Sequence, residues 1–162
     1  MKHFFVSVLV LFGIWLLFNG SVTPQVVWTG LLVSCLITLV TVRNSDLFRT
    51  LRLTPSALIH AVFYIFLFLW EIIKSNLDVA WRVISPSLPI RPGIVEVETR
   101  LKSPVARLIL TSSITLTPGT LTVETRDNRL FIHWIDVSSV DMESATRAIV
   151  AKFEKHLEVM YG

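Results

Sequence analysis

The sequence predicts an α-helical membrane region, a hairpin plus a long third helix, followed by a small α+β domain of β-α-β-β-α order. Three observations lead there. The first 42 residues carry one formal charge, Lys2, and two long apolar runs. A third apolar run turns amphipathic towards its end. After a proline-rich stretch the apolar period then drops from that of a helix to two, the period of a strand.

The first two runs are Phe4 to Phe18 and Val26 to Val42, separated only by Asn19-Gly20-Ser21-Val22-Thr23-Pro24-Gln25. A membrane span needs roughly 20 residues, with about 17 as the lower limit. The second run reaches that limit; the first does so by recruiting its polar flanks. With a short uncharged turn between them they read as a transmembrane hairpin. A cleavable signal peptide is the alternative for the first run, but a second run follows at once and no A-x-A-like site precedes it. Arg43, Asp46, Arg49 and Arg52 form a basic loop after the hairpin, so charge bias puts that loop and Lys2 inside and the turn outside.

The third helix is expected over about 57–84. Pro55-Ser56 suits its first turn, and it is apolar on every side as far as Trp70. Beyond that, Glu71, Lys74, Ser75, Asp78 and Arg82 share one face, while Trp70, Ile73, Leu77, Trp81 and Ile84 share the opposite one. Trp70 and Trp81 suit the headgroup level, where an apolar ring with one N–H donor is well solvated. Residues 1–84 thus form the membrane region. Ser85-Pro86-Ser87-Leu88-Pro89-Ile90-Arg91-Pro92-Gly93 follows as a stiff linker, because three prolines cannot continue a helix.

The α+β domain occupies 94–162. Ile94 to Thr99 alternates as a half-buried strand. Ser103-Pro104 caps a helix over Val105 to about Ser113. Thr117-Pro118-Gly119-Thr120 has the central residues of a type II turn. Leu121 to Thr125 and Leu130 to Ile135 form a hairpin around Arg126-Asp127-Asn128-Arg129. Ser139 is expected to cap a single last helix with the stripe Ala145, Ile149, Phe153, Leu157 and Met160.

Composition narrows the function. At 162 residues the chain is too short to be a large transporter by itself. Its mean hydropathy is +0.65, yet charge is divided unevenly, with nine of the 27 charged residues in 1–84 and eighteen in 85–162. The later half balances nine Lys/Arg against nine Asp/Glu, so no nucleic-acid surface is expected. The single cysteine, Cys35, lies in the second run and reads as an apolar filler.

Catalytic and cofactor sites are not expected. His3, His133 and His156 are scattered, and no CxxC, HExxH or close His/carboxylate cluster accompanies them, so the sequence offers no metal site. No glycine-rich phosphate loop occurs, and the hydroxyls of Thr111 to Thr117 read as caps and packing groups. Trp134 falls on the buried side of its strand with Leu130 and Ile132, and His133 beside Phe131 on the other; packing is the favoured role for the pair, ligand stacking the alternative. An ion carrier needs ionisable groups within the bilayer. The candidates are His60, Glu71 and Lys74, and the first two runs hold no carboxylate. Glu71 and Lys74, three apart on a helix, read as an interfacial ion pair or a contact to a neighbouring subunit, with a proton or cation path as the alternative. His60 reads as a headgroup-level or helix-contact residue.

Three stretches in fixed order carry a resemblance: Leu69-Trp70-Glu71-Ile72-Ile73-Lys74-Ser75-Asn76-Leu77-Asp78-Val79-Ala80-Trp81, Arg91-Pro92-Gly93-Ile94-Val95, and Ile114-Thr115-Leu116-Thr117-Pro118-Gly119-Thr120-Leu121-Thr122-Val123. With the two hydrophobic runs they resemble the E-type subunits of the multi-subunit Mrp-type (Mnh or Pha) Na⁺(K⁺)/H⁺ antiporters of bacteria. His133-Trp134-Ile135-Asp136-Val137 also fits, whereas the first run and the Arg126–Arg129 turn match least. The resemblance implies an accessory, assembly or stabilising subunit of a complex that exchanges protons against Na⁺ or K⁺, with the ion paths in larger subunits. It implies a multi-pass protein of the bacterial cell (inner) membrane, with other antiporter subunits and the lipid bilayer as partners and a cytoplasmic C-terminal domain. Interface or structural roles are expected for Trp70, Glu71, Lys74, Asn76, Trp81, Pro92, Gly93, Thr117, Pro118, Gly119 and Thr120. A stand-alone membrane adaptor, docking a soluble partner through its C-terminal domain, is the alternative. One conflict stays open: three full spans from an inside N-terminus would put the domain outside. Two spans with an oblique third helix held against partner subunits, or an outside N-terminus, would resolve it.

Overall fold

The computed structural model describes residues 2–44, 52–138 and 141–162. The chain forms two compact units, Met1–Leu51 and Arg52–Gly162. The expected division at the proline-rich stretch therefore differs from the packing, which joins the long third helix to the α+β elements.

The first unit is a helical hairpin, α1 (Lys2–Asn19) and α2 (Pro24–Asn44). Both helices exceed the expected 4–18 and 26–42 by a few polar residues at their ends. Close approach is set by small side chains on α2: Gly30, Ser34 and Thr38 recur every four residues and are buried. Such a stripe lets helices pack at short range. The Trp15 indole N–H donates to the Val26 carbonyl at 3.0 Å, and a Cβ on Gly30 would lie 2.4 Å from Trp15 Cδ1. Asp46 and Arg49 of the expected basic loop lie outside the described residues.

The second unit begins with α3 (Pro55–Ile84), thirty residues long. Thr54 caps it, accepting from the Ala57 N–H, and proline follows at the first helical position. Then come β1 (Gly93–Glu98), α4 (Pro104–Leu116), β2 (Thr120–Arg126), β3 (Arg129–Trp134), α5 (Met142–Ile149) and α6 (Ala151–Tyr161). The three strands form one antiparallel sheet in the order β1-β3-β2. Val95 and Val97 on β1 and Leu130 and Ile132 on β3 alternate inward and are fully or almost fully buried. They meet Leu110 and Ile114 of α4 and the stripe Ala145, Ile149, Phe153, Leu157 and Met160, all buried.

Two local expectations differ from the structure. The last helix is two helices meeting at Val150, whose side chain is itself buried. Ser139 lies outside the described residues, and the cap of α5 is Asp141, whose carboxylate accepts from the Ser144 N–H at 2.9 Å. An aspartate at that place also meets the positive end of the helix dipole.

Candidate functional site

Polar groups on α3 are placed by its periodicity on the side that meets the rest of the second unit, and four of them, His60, Tyr64, Glu71 and Arg82, find partners from distant parts of the chain. His60 Nδ1 lies 3.1 Å from His156 Nδ1 on α6. The Tyr64 and Ser113 hydroxyls share a 2.6 Å hydrogen bond, and the Tyr64 ring packs edge-on to Phe153. Lys152 donates to Glu71 at 2.5 Å, with the carboxylate largely covered. Arg82 is the hub of the last cluster. It donates to Asp78 at 2.7 Å, to Asp136 at 2.9 Å and to the Pro89 carbonyl at 2.5 Å.

Asp136 binds a second guanidinium, Arg91, at 3.0 Å. Hydrogen bonds from Arg91, and then from Arg82, hold its carboxyl below the usual range against a smaller opposing effect of burial. The main chain fastens the same place: the Arg91 N–H donates to Ile135 O and the Val137 N–H to Arg91 O. The proline-rich stretch is thus laid along the end of β3, with Arg91 and Asp136 as parallel bridge partners.

The Thr117–Thr120 turn completes the site. Gly119 has φ +90, a conformation in which a Cβ is penalised, and Thr120 N–H donates to Thr117 O at 3.2 Å. Its hydroxyls are structural: Thr117 donates to Ser113 O and Thr120 to Ile114 O, satisfying carbonyls at the end of α4. Gly119 itself approaches Ile135 and Val79 closely enough that a Cβ would lie 2.9 Å from Ile135 Cγ2.

Glu71, Asp78, Arg82, Asp136, Lys152 and the turn line a cleft of about 310 Å³ within the second unit, bounded by α3, the Thr117–Thr120 turn, the end of β3, α5 and α6. Of the residues singled out by sequence, Glu71, Lys74, Thr117, Pro118, Gly119 and Thr120 meet there. Trp70, Asn76 and Trp81 are exposed along α3, Asn76 bonded only to the Ile72 carbonyl of its own helix. Pro92 is exposed, and Gly93 abuts Val137. The expected Glu71–Lys74 pair is not formed: Glu71 pairs with Lys152, and Lys74 is exposed. Spacing on one helix could not reveal that a lysine 81 residues away reaches the same carboxylate. Lys152, Arg91 and the His60–His156 pair were not legible as partners. The Asp78–Arg82 pair had a visible signal, four residues apart on one face. Among the described residues no cluster of three or more His, Cys, Asp or Glu could hold a metal ion.

Comparison with known proteins places this arrangement. The family model described as Na⁺/H⁺ ion antiporter subunit, MNHE, matches residues 8–160. Among solved structures, a chain of the membrane-bound sulfane sulfur reductase, an archaeal respiratory membrane complex, is 40% identical with a TM-score of 0.83, covering 98% of this chain and 99% of that one. A chain of the Mrp complex from Dietzia sp. DQ12-45-1b is 28% identical with a TM-score of 0.42, covering 60% of this chain and 91% of that one. No curated protein matches. With a match over nearly its whole length, the chain belongs to the MNHE family of Na⁺/H⁺ antiporter subunits, the E-type subunits of Mrp complexes.

Proposed function

We propose that the chain is an accessory subunit that assembles and stabilises a multi-subunit monovalent cation/proton antiporter, with its second unit on the cytoplasmic side of the membrane. One observation carries this reading. Of the candidate ion-handling groups of α3, Glu71 is held by Lys152 and His60 by His156, while Lys74, a cation itself, offers a cation no ligand. A carrier must free its binding group at each cycle, whereas these pairs tie α3 to α6. The first two helices supply no carboxylate, so a cation would have nothing to replace its water at mid-bilayer.

The 40% identity to a chain of a respiratory complex favours a second setting, in which an antiporter-type module works within a redox complex. The role of the subunit is the same in both. Purification through this chain from native membranes separates them: hydrophobic subunits alone mark an antiporter, and co-eluting redox subunits mark a respiratory complex. Soluble partners alone would return the adaptor reading.

The test of the accessory role is transport by the chain alone. Reconstituted in liposomes under an imposed pH gradient, it should give no Na⁺- or K⁺-dependent proton movement above empty vesicles. Its deletion should lower exchange in step with the amount of assembled complex. A cation-dependent signal from the purified chain would make it a transporter in its own right.

A further inference from the structure

We infer that α3 does not cross the bilayer but lies along its surface, its outward face seated among anionic lipid headgroups. By length and composition α3 could span. Its bonds oppose that. His60, Tyr64, Glu71 and Arg82 are each fastened to other elements of the second unit, and together they occupy about 33 Å of a helix rising ~1.5 Å per residue. Wherever hydrocarbon began along α3, it would engulf flanking elements. Beside the His60–Glu71 stretch runs α6, which exposes Lys155 and Glu158. Charges at that depth cost several kcal/mol each.

The outward face points to the occupant. Ile59, Phe63, Phe66, Trp70, Leu77 and Trp81 recur at helical spacing, and all are exposed. Trp70 is 61% and Trp81 70% exposed. They stand eleven residues apart on nearly the same azimuth, about 16 Å along the axis. An upright helix would hold them at depths that differ by that distance. A flat one holds both indoles at the headgroup level that tryptophan favours. Between them in sequence, about 40° off the centre of the stripe at 100° per residue, Lys74 is exposed at the rim of the cleft that Glu71 and Asp78 also line, with no ion-pair partner among the described residues. A lysine so placed is out of place at mid-hydrocarbon but complements a phosphate, its stem covering apolar surface. The inference needs only a membrane setting, not the accessory role.

The test uses the full chain in its purified complex, in nanodiscs with and without anionic phospholipid. Cys35 is replaced by alanine, and single spin-labelled cysteines are placed at Phe63, Trp70, Leu77 and Trp81. Collision with oxygen and with a nickel chelate then reports the depth of each label. Four similar, shallow depths are expected. Lys74→Glu should move the labels at Trp70 and Leu77 towards water in anionic discs only. A deep maximum at Phe63 with Trp81 in water would restore the span and overturn the inference. Labels shielded from both quenchers would mean a protein partner covers the face, which also overturns it. Lys74→Glu without effect in anionic discs would remove the headgroup contact. Antiport measured on the same samples reports separately on function.

Discussion

Helices α2 and α3 both satisfy the length and apolarity of a membrane span, yet they use their buried faces in opposite ways. The buried line of α2 is Gly30, Ser34 and Thr38, small groups that admit another helix. The covered line of α3 runs through Ala57, His60, Tyr64, Glu71 and Arg82, and its polar members reach across 49 to 96 residues of sequence for partners. Hydropathy averages over a helix, so it scores both alike. What separates them is whether the polar side chains are bound by the chain's own later elements.

The sharpest way to break α3 from its support is Gly119→Val. The residue needs φ +90, and its Cβ would press on Ile135 at 2.9 Å. Backbone strain of about 1–3 kcal/mol and overpacking of about 1–3 kcal/mol give an expected loss on the order of 2–6 kcal/mol. Subunit content in membranes should fall severely, and antiport with it; abundance and activity at wild-type level would show that the turn yields. On the α2 side the matching change is Gly30→Ala, whose Cβ displaces the Trp15 indole and its bond to Val26. The expected cost is about 1–3 kcal/mol, confined to the hairpin. Hydrogen exchange should quicken in α1 and α2 and stay unchanged in β1–β3; a change in the sheet would show that the units are energetically coupled.

The contrast also explains what could be read in advance. Continuous apolar runs located α1 to α3, a Ser-Pro cap located α4, and period-two alternation located the three strands, each to within a few residues. The stripe from Ala145 to Met160 foretold the buried face of the last segment but hid its break at Val150, which is apolar too and buried. In the cleft, the Thr117–Thr120 turn was legible because its chemistry is local. Glu71 was legible as a residue but not by partner: Lys152 sits on a helix whose docking side depends on the whole sheet. Asp136 shows the same limit, since its two arginines come from α3 and from the proline-rich stretch.

Glu71→Gln sharpens the comparison at smaller amplitude. The amide keeps the shape and one acceptor while losing the charge, and Lys152 remains part-exposed and able to hydrate. A loss of about 1 kcal/mol is expected, below the ~1.5–3 kcal/mol of hydrogen bonds to charged groups because the pair is part-exposed and the amide keeps an acceptor. Assembly should weaken modestly, with cation preference and apparent ion affinity unchanged in vesicles of equal subunit content. Altered Na⁺ or K⁺ affinity there would promote Glu71 to an ion ligand and cancel the contrast drawn between α3 and a carrier helix.

The smallest effect belongs to the His60–His156 contact. At 3.1 Å between two Nδ1 atoms, one ring must donate and the other accept, so the bond requires one unprotonated nitrogen. Burial, then the neighbouring His60 and Lys155, pushes the His156 imidazole below its ordinary value. A folded-state value below the unfolded one means that the unfolded chain takes up the proton first. This contribution to stability is therefore complete above the ordinary imidazole range near ~6.5. It is lost as pH falls from there towards the depressed folded value. The thermal midpoint of the second unit should drop slightly on acidification through that window, and His156→Gln, which has no imidazole to protonate, should flatten the drop. Hydrogen exchange locates the effect: acid should loosen α6 along α3 first, while α2, whose described buried groups carry no imidazole, keeps its protection. Equal loosening of α2 and α3 would mean that the pH response arises elsewhere in the assembly and not at this join.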